Sequence, residues 1–290
     1  MGTTLNAIVQ GILLGGQYAL LACGLSLIFG VMRIVNLAHG TIAVAAAYGA
    51  FWCVDTLGLP TWLALVITVV VFAGIGYLLQ RGLFNRALKA GELEPLLVSF
   101  GLSIVVVNLL QEHFSADSRH IGIGSLETAS LKITGDISIG WFSVLVLIAA
   151  VLVIGAIELF LGRTSQGRAM RATSDDPDTA RVMGINNAHV YALATAIAIA
   201  TVALAGVVIG MSTVFSPGYG DLVLLFAFEA VIIGGLGSLW GTLAGALVLG
   251  VAQTVGAQID PAWGVLAGHI VFLLVLLLRP QGLMSKVKVA

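Results

Sequence analysis

Eight stretches of this chain contain no Asp, Glu, Lys or Arg: residues 1–32, 34–54, 56–80, 95–111, 137–157, 182–220, 230–259 and 261–278. About 20 apolar residues in a helix cross the hydrocarbon core of a bilayer, and most of these runs are that long. Lipid offers no hydrogen-bond partners, so a crossing segment must satisfy its own backbone, and helices are the default. Charged residues make up only 9% of the 290, against about a quarter in soluble domains. That leaves too little polar surface for a water-soluble fold. The sequence therefore predicts an all-α, polytopic helical bundle in a membrane.

In chain order, the apolar runs predict spans at 6–29, 41–54 (beginning near 36), 62–79, 95–111, 139–161, 189–211, 222–233, 242–257 and 263–278. That is about nine spans, with a range of eight to ten, in a single transmembrane domain covering 1–290. Residues 113–136 read as a polar loop on one side and 162–188 as a charged loop on the other. Residues 81–89 read as a basic loop. If that loop is cytoplasmic, alternation places Arg33, Arg81, Arg86, Lys89, Arg163, Arg168, Arg171, Arg181, Arg279, Lys286 and Lys288 inside. Only Arg119 and Lys132 fall outside. Such an excess satisfies the positive-inside rule, with the N-terminus outside and the C-terminus cytoplasmic. Residues 20–24, LLACG, loosely resemble a lipoprotein cleavage site, but no basic residue precedes the apolar run, so it reads as an uncleaved span.

Few polar groups interrupt the spans. Glu229 sits within LLFAFEAVIIGG. A carboxylate there costs a few kcal/mol to insert and faces the bundle interior or a cavity. It is either a pathway or gate residue or a structural hydrogen-bonding group. Residues 24–40, GLSLIFGVMRIVNLAHG, break one apolar run before the next begins. Discontinuous helices expose backbone groups only to protein or a cavity, so Asn36, His39 and Gly40 are candidates for a pathway or gate. The alternative is a plain turn at the inner end of spans 1 and 2, marked by Arg33. Glu158 reads as a boundary carboxylate near Arg163, and His269 as an isolated structural histidine. His113 and His120 lack metal-site spacing, and no metal is expected. Cys23 and Cys53 lie in apolar runs and read as buried small residues. Gly206 with Gly210, and Gly237, Gly241 and Gly245, are spaced by four, which suits close helix packing.

No Gly-Lys pair exists, hence no phosphate-binding loop, and neither HExxH nor GxSxG occurs. The chain is not expected to be an enzyme or to hold a cofactor, and its composition implies the lipid bilayer as partner, not nucleic acid. Within the interior loop, Asp175, Asp176 and Pro177 look like a helix start. Residues 178–183 would form a short helix, stopped by Gly184 and Asn186. Such a helix suits docking to a partner, although composition alone also permits a solvated loop.

The segment RATSDDPDTARVMGIN (171–186) resembles the coupling loop of ABC importer permeases. In the loop that opens at Arg171, Ala172, Ala180 and Gly184 fit that pattern, while the usual Glu is absent and Asp175 and Asp176 stand nearest to it. Residues 24–40 and the glycine-rich GGLGSLWG at 234–241 resemble the LivH family, permease subunits for branched-chain amino acids, and span order agrees along the whole chain. The resemblance implies an inner-membrane importer subunit. Its partners would be a second homologous permease, two ATPase subunits that hold ATP and Mg, and a periplasmic or extracellular substrate-binding protein. Relatives in this family move urea and short amides, so those solutes stay open beside branched-chain amino acids. The competing class is a gradient-driven secondary transporter or channel for a small polar solute, working through Glu229.

Overall fold

In the computed structural model the described residues are 2–91, 93–134 and 137–284; Asp136, Lys286 and Lys288 of the predicted loops and tail lie outside them. Twelve α-helices occur among the described residues. The axis is α1 (Gly2–Met32), which packs on α6 (Trp141–Arg163), α9 (Asn187–Ser212), α10 (Gly220–Gly234) and α11 (Leu239–Ile259). Ala19 to Cys23 in α1 and Ala198, Ile199 and Val202 in α9 are fully buried. By contrast, α3 (Thr61–Leu79), α5 (Glu94–Phe114) and α12 (Trp263–Leu278) carry exposed Leu, Val and Ile along most of their length. Such a surface suits lipid, not water.

Seven helices among the described residues are long and apolar enough to cross a membrane. The 16-residue α12 is apolar but shorter, and α2 (His39–Asp55) has 17 residues, most of them buried. Predicted and observed helices coincide at 263–278 and differ elsewhere by a few residues.

Three regions depart from expectation. Residues 81–89 do not form a loop: α3 continues through a wide π turn (Gln80–Phe84) into α4 (Asn85–Ala90). Buried Gln80 holds that turn by donating to Asn85 Oδ1 (3.0 Å) and accepting from Thr195 Oγ1 (2.8 Å). Long basic side chains project from the end of a helix without breaking it, so charge marked an exit that the backbone does not follow with a turn. The 113–136 loop is partly ordered against the bundle. Arg119 and Phe215 exchange backbone hydrogen bonds (2.8 and 2.9 Å), Ile121 N donates to Gly210 O (2.8 Å), and β1 (Ser130–Thr134) pairs antiparallel with β2 (Ile137–Gly140). Finally, the charged 162–188 segment holds more than the expected short helix, here α8 (Pro177–Val182): a further helix, α7 (Ser165–Asp175), precedes it.

The glycine spacing meets two different needs. A β-carbon on Gly206 would lie 1.9 Å from Ala43 O, one on Gly245 2.2 Å from Ala230 O, and one on Gly241 2.4 Å from Gly234 O. One on Gly210 would meet Ile121 Cδ1 at 2.9 Å. Gly206, Gly241 and Gly245 let backbones approach closely, whereas Gly210 leaves room for side chains. Gly237 instead occupies the α10–α11 link at φ 77°, a conformation that favours glycine. The carbonyls that end α10 are met by the C-terminal segment: Leu283 N donates to Ile233 O and Met284 N to Gly234 O, both at 2.9 Å.

Candidate functional site

The break after α1 is a return into the bundle. Arg33 takes φ 55°, and residues 34–38 run without helical structure to His39. His39 Nε2 donates to Leu21 O at 2.8 Å. Leu21 stands eleven residues before Met32, the end of α1, about 16 Å back along it at 1.5 Å per residue. So α2 begins beside the middle of α1, and Asn36 to Gly40 are interior residues: Asn36 is 2% exposed and His39 0%. A turn confined to the inner boundary, marked by Arg33, accounts for the end of α1 but not for this return. The amides of Leu37, Ala38 and His39 are satisfied inside the protein, as buried backbone requires. Asn36 Oδ1 accepts from Ala38 N (3.0 Å) and Ser99 Oγ of α5 from Leu37 N (3.0 Å). Thr41 and Ser103 hydroxyls pair at 2.6 Å. Gly40 packs directly on the backbone at Gly220, where α10 begins. His39 Nδ1 has no partner among the described residues.

The second polar group is built from four helices. Glu229 of α10 is 2% exposed, and its Oε1 meets His269 Nδ1 of α12. The histidine that looked isolated in the sequence is therefore the carboxylate's partner; the two are 40 residues apart, beyond any local periodicity. Glu229 Oε2 has no partner among the described residues. Nearby, Tyr18 OH of α1 donates to Gln253 Oε1 of α11 at 2.6 Å. The Phe226 ring lies between the two pairs, 5.1 Å from Tyr18 and 6.5 Å from His269 by centroids.

A cavity of about 330 Å³ adjoins this group, lined by Gln17, Tyr18, Ser143, Ser212, Tyr219 and Phe226 among others. Gln17 Nε2 donates to Ser212 Oγ across it at 2.7 Å. Its size lies at the low end for small-molecule pockets, and its wall mixes hydroxyls, an amide and aromatic faces. Asn36, His39, Gly40 and Glu229 do not line it. Gln17 and Ser212 were legible only as single polar residues in apolar runs; their pairing across 195 positions was not.

At the opposite end lies the α7–α8 unit. Thr164 caps α7 by accepting from Gly167 N (2.9 Å), and the fully buried Met170 anchors it. Arg171 and Ala172 are exposed on α7, Arg171 donating to Gly162 O at 3.5 Å. Asp175 ends the helix. Asp176 caps α8, its Oδ1 accepting from Asp178 N and Thr179 N (both 3.0 Å) and its Oδ2 from Thr179 Oγ1 (2.6 Å). The Thr179 hydroxyl and amide, then the Asp178 amide, hold this carboxyl below its ordinary value against a small opposing effect of burial. Pro177 opens α8, and Gly184 at φ 86° closes the following turn. Ala180 is buried, whereas Val182 and Met183 are 86% and 77% exposed. This apolar tip was missed in the sequence; an apolar pair just before a helix-stopping glycine in a polar segment was its signal. Asn85 Nδ2 donates to Ala188 O (3.1 Å) and Tyr77 OH pairs with His189 Nδ1 (2.9 Å), so the α3–α4 extension braces the start of α9 behind the tip.

Similarity to known proteins extends along nearly the whole chain. Residues 7–278 match the family model described as the permease component of the branched-chain amino acid transport system. The high-affinity branched-chain amino acid transport system permease protein BraD of Pseudomonas aeruginosa is 32% identical, over 98% of this chain and 97% of its own. LivH of Escherichia coli K12, described in the same words, is 29% identical over 98% and 96%. Among solved structures, PsaBC from Streptococcus pneumoniae in complex with Fab superposes with a TM-score of 0.50, covering 96% of this chain and 92% of that one at 17% identity. At that identity the likeness speaks for the fold alone.

Proposed function

The chain belongs to the family of branched-chain amino acid transport permeases, a multi-pass membrane protein of the plasma membrane, and from that premise we propose how it works. It is the membrane-spanning subunit of an importer that moves branched-chain or related small apolar amino acids, with ATP hydrolysed in separate partner chains. The observation that carries this reading is the α7–α8 unit: a rigidly capped short helix with an exposed apolar tip at Val182 and Met183, followed by the Gly184 turn. A solvated loop has no reason to hold two apolar side chains outward in fixed geometry, while a docking surface for an ATPase does. Arg171, Ala172, Asp175, Asp176, Ala180 and Gly184 form or position that surface. Its partners are two ATPase subunits, which hold ATP and Mg, a second homologous permease, and an extracellular or periplasmic binding protein that delivers the solute.

The topology consistent with this is nine spans, counting α2 and α12 with the seven longer helices, in one domain over 1–290. The N-terminus lies outside and α7–α8 on the cytoplasmic side, which agrees with the distribution of Arg and Lys. The solute enters near the cavity of Gln17, Tyr18, Ser143 and Tyr219. The return at Asn36, His39 and Gly40 and the Glu229–His269 pair act as gate elements beside it, because they tie α2 to α1 and α10 to α12 away from its wall. Urea or short amides remain the substrate variant.

A gradient-driven transporter is favoured by one observation, that Glu229 pairs with a second ionisable group within the bundle. Labelled leucine uptake in cells lacking the partner ATPases decides between the two. The importer reading expects uptake to vanish, and unchanged uptake refutes it.

A further inference from the structure

At the α7–α8 end, α1, α6, α7, the α10–α11 link and the start of α11 line a second, partly open cavity, of about 510 Å³. Its wall carries two guanidinium groups, Arg33 and Arg171, and two carboxylates, Glu158 and Asp175, beside an apolar patch anchored by Met170. Ser26 of α1 also lines it. Ser26 is 1% exposed, and its hydroxyl has no hydrogen-bond partner among the described residues. Roughly nine in ten buried polar groups are paired, so an unpaired hydroxyl in a cavity wall marks a place for another molecule's polar atom. Arg33 reaches this wall from φ 55°, a conformation uncommon for a residue with a β-carbon, which persists where the surroundings over-determine it.

The charges select among ligands. A simple anion would face two carboxylates, and a simple cation two guanidinium groups. A small zwitterion matches both: a carboxylate takes paired N–H donors from arginine, an ammonium group takes the acids, and an apolar side chain lies toward Met170. Its location adds a consequence. Ser174 Oγ of α7 already donates to Gly30 O of α1 at 2.6 Å. A zwitterion bridging Ser26 and Arg33 of α1 to Arg171 and Asp175 of α7 favours the conformer in which α7 is docked. A ligand that binds one conformer shifts the population toward it.

We propose that this inner cavity binds the free amino acid from the cytoplasmic side and, when filled, clamps α7 on α1 and slows further import. The inference rests on the reading that the chain carries amino acids and that α7–α8 moves with the ATPases. The test uses the whole complex in vesicles, with binding protein outside and ATP within. Leucine loaded inside at ten times its dissociation constant is expected to slow the initial uptake of labelled leucine ~11-fold. Isocaproate, which lacks the ammonium group, and isoamylamine, which lacks the carboxylate, leave uptake unchanged. Arg33→Asn keeps a residue that tolerates the left-handed conformation, and Ser26→Ala removes only the unpaired hydroxyl. Both are expected to transport from outside at wild-type rate and to ignore internal leucine. Titration of leucine into the same complex without binding protein gives a second readout, with binding at least ~10-fold weaker in Arg33→Asn.

Uptake indifferent to internal leucine in the wild type, or inhibition that survives both substitutions, overturns the proposal. So does equal leucine binding by wild type and Arg33→Asn. If empty wild-type vesicles take up no leucine, the transport reading is what fails, and the titration still decides the cavity.

Discussion

Replacing His269 by leucine leaves Glu229 buried with neither oxygen hydrogen-bonded, because His269 is the partner of Oε1 and Oε2 has none among the described residues. Leaving a buried carboxyl without a hydrogen-bond partner costs about 1–3 kcal/mol. At roughly 2 °C per kcal/mol for a chain of this size, the melting temperature falls by about 2–6 °C. Glu229→Gln behaves differently, since its amide oxygen still accepts from the imidazole. Single hydrogen bonds between membrane helices are worth about 0.6 kcal/mol, so that variant melts within about 2 °C of wild type. The double variant Glu229→Leu with His269→Leu buries no orphaned polar atom and recovers most of the His269→Leu loss. The chain carries its own reporters: Cys23 and Cys53 are free and buried, so a thiol-reactive dye in mild detergent reads unfolding directly. Equal melting temperatures for His269→Leu and Glu229→Gln would refute the pairing as the energetic reason for the buried carboxylate.

Other outcomes follow from the same geometry. Met183→Glu, at a 77% exposed site, should fold and reach the membrane yet lose transport-coupled ATP hydrolysis by at least ~10-fold, read in vesicles with the partner subunits. Gly184→Pro cannot adopt φ 86° and loses the Gly184 N to Arg181 O bond; it should insert normally but hydrolyse ATP without uptake. Gly206→Val drives side-chain atoms into Ala43 O and should lower stability by about 1–3 kcal/mol or more, read as in the thiol assay. Because the native carboxyl of Asp176 is depressed below its ordinary value of 3.8, its cap is fully present above that value and is lost as pH falls through the depressed one. Hydrogen exchange of the Asp178 and Thr179 amides should therefore accelerate only at strongly acidic pH, and in Asp176→Ala at every pH.

Much of this protein was legible in one dimension. Charge-free runs mark helices because lipid leaves the backbone no other hydrogen-bond partner, which is why the ends of α12 were readable to the residue. Asp176, Pro177 and Gly184 announced α8 because caps and stops are local chemistry, set by side chains within a turn of the backbone they satisfy. The basic segment 81–89 misled for the same reason: charge reports where a side chain meets water, not where a helix ends. Gly206, Gly241 and Gly245 announced close packing without naming the helix that approaches.

What the linear order could not carry is who meets whom. Glu229 finds His269, Gln17 finds Ser212 and Tyr18 finds Gln253 across 40, 195 and 235 positions, because burial in a low-dielectric bundle brings polar groups together wherever helices cross. The break at 33–38 read as a boundary turn, since an arginine marks an interface. Only packing decided that His39 returns to Leu21, where Ser99 and Ser103 of another helix take up the polar groups of the return. The sequence by itself determined the helical membrane architecture, the cap and stop of α8 and the family. The tertiary structure decided which polar residues share an interior and where cavities remain, because those depend on contacts between segments that no periodicity relates.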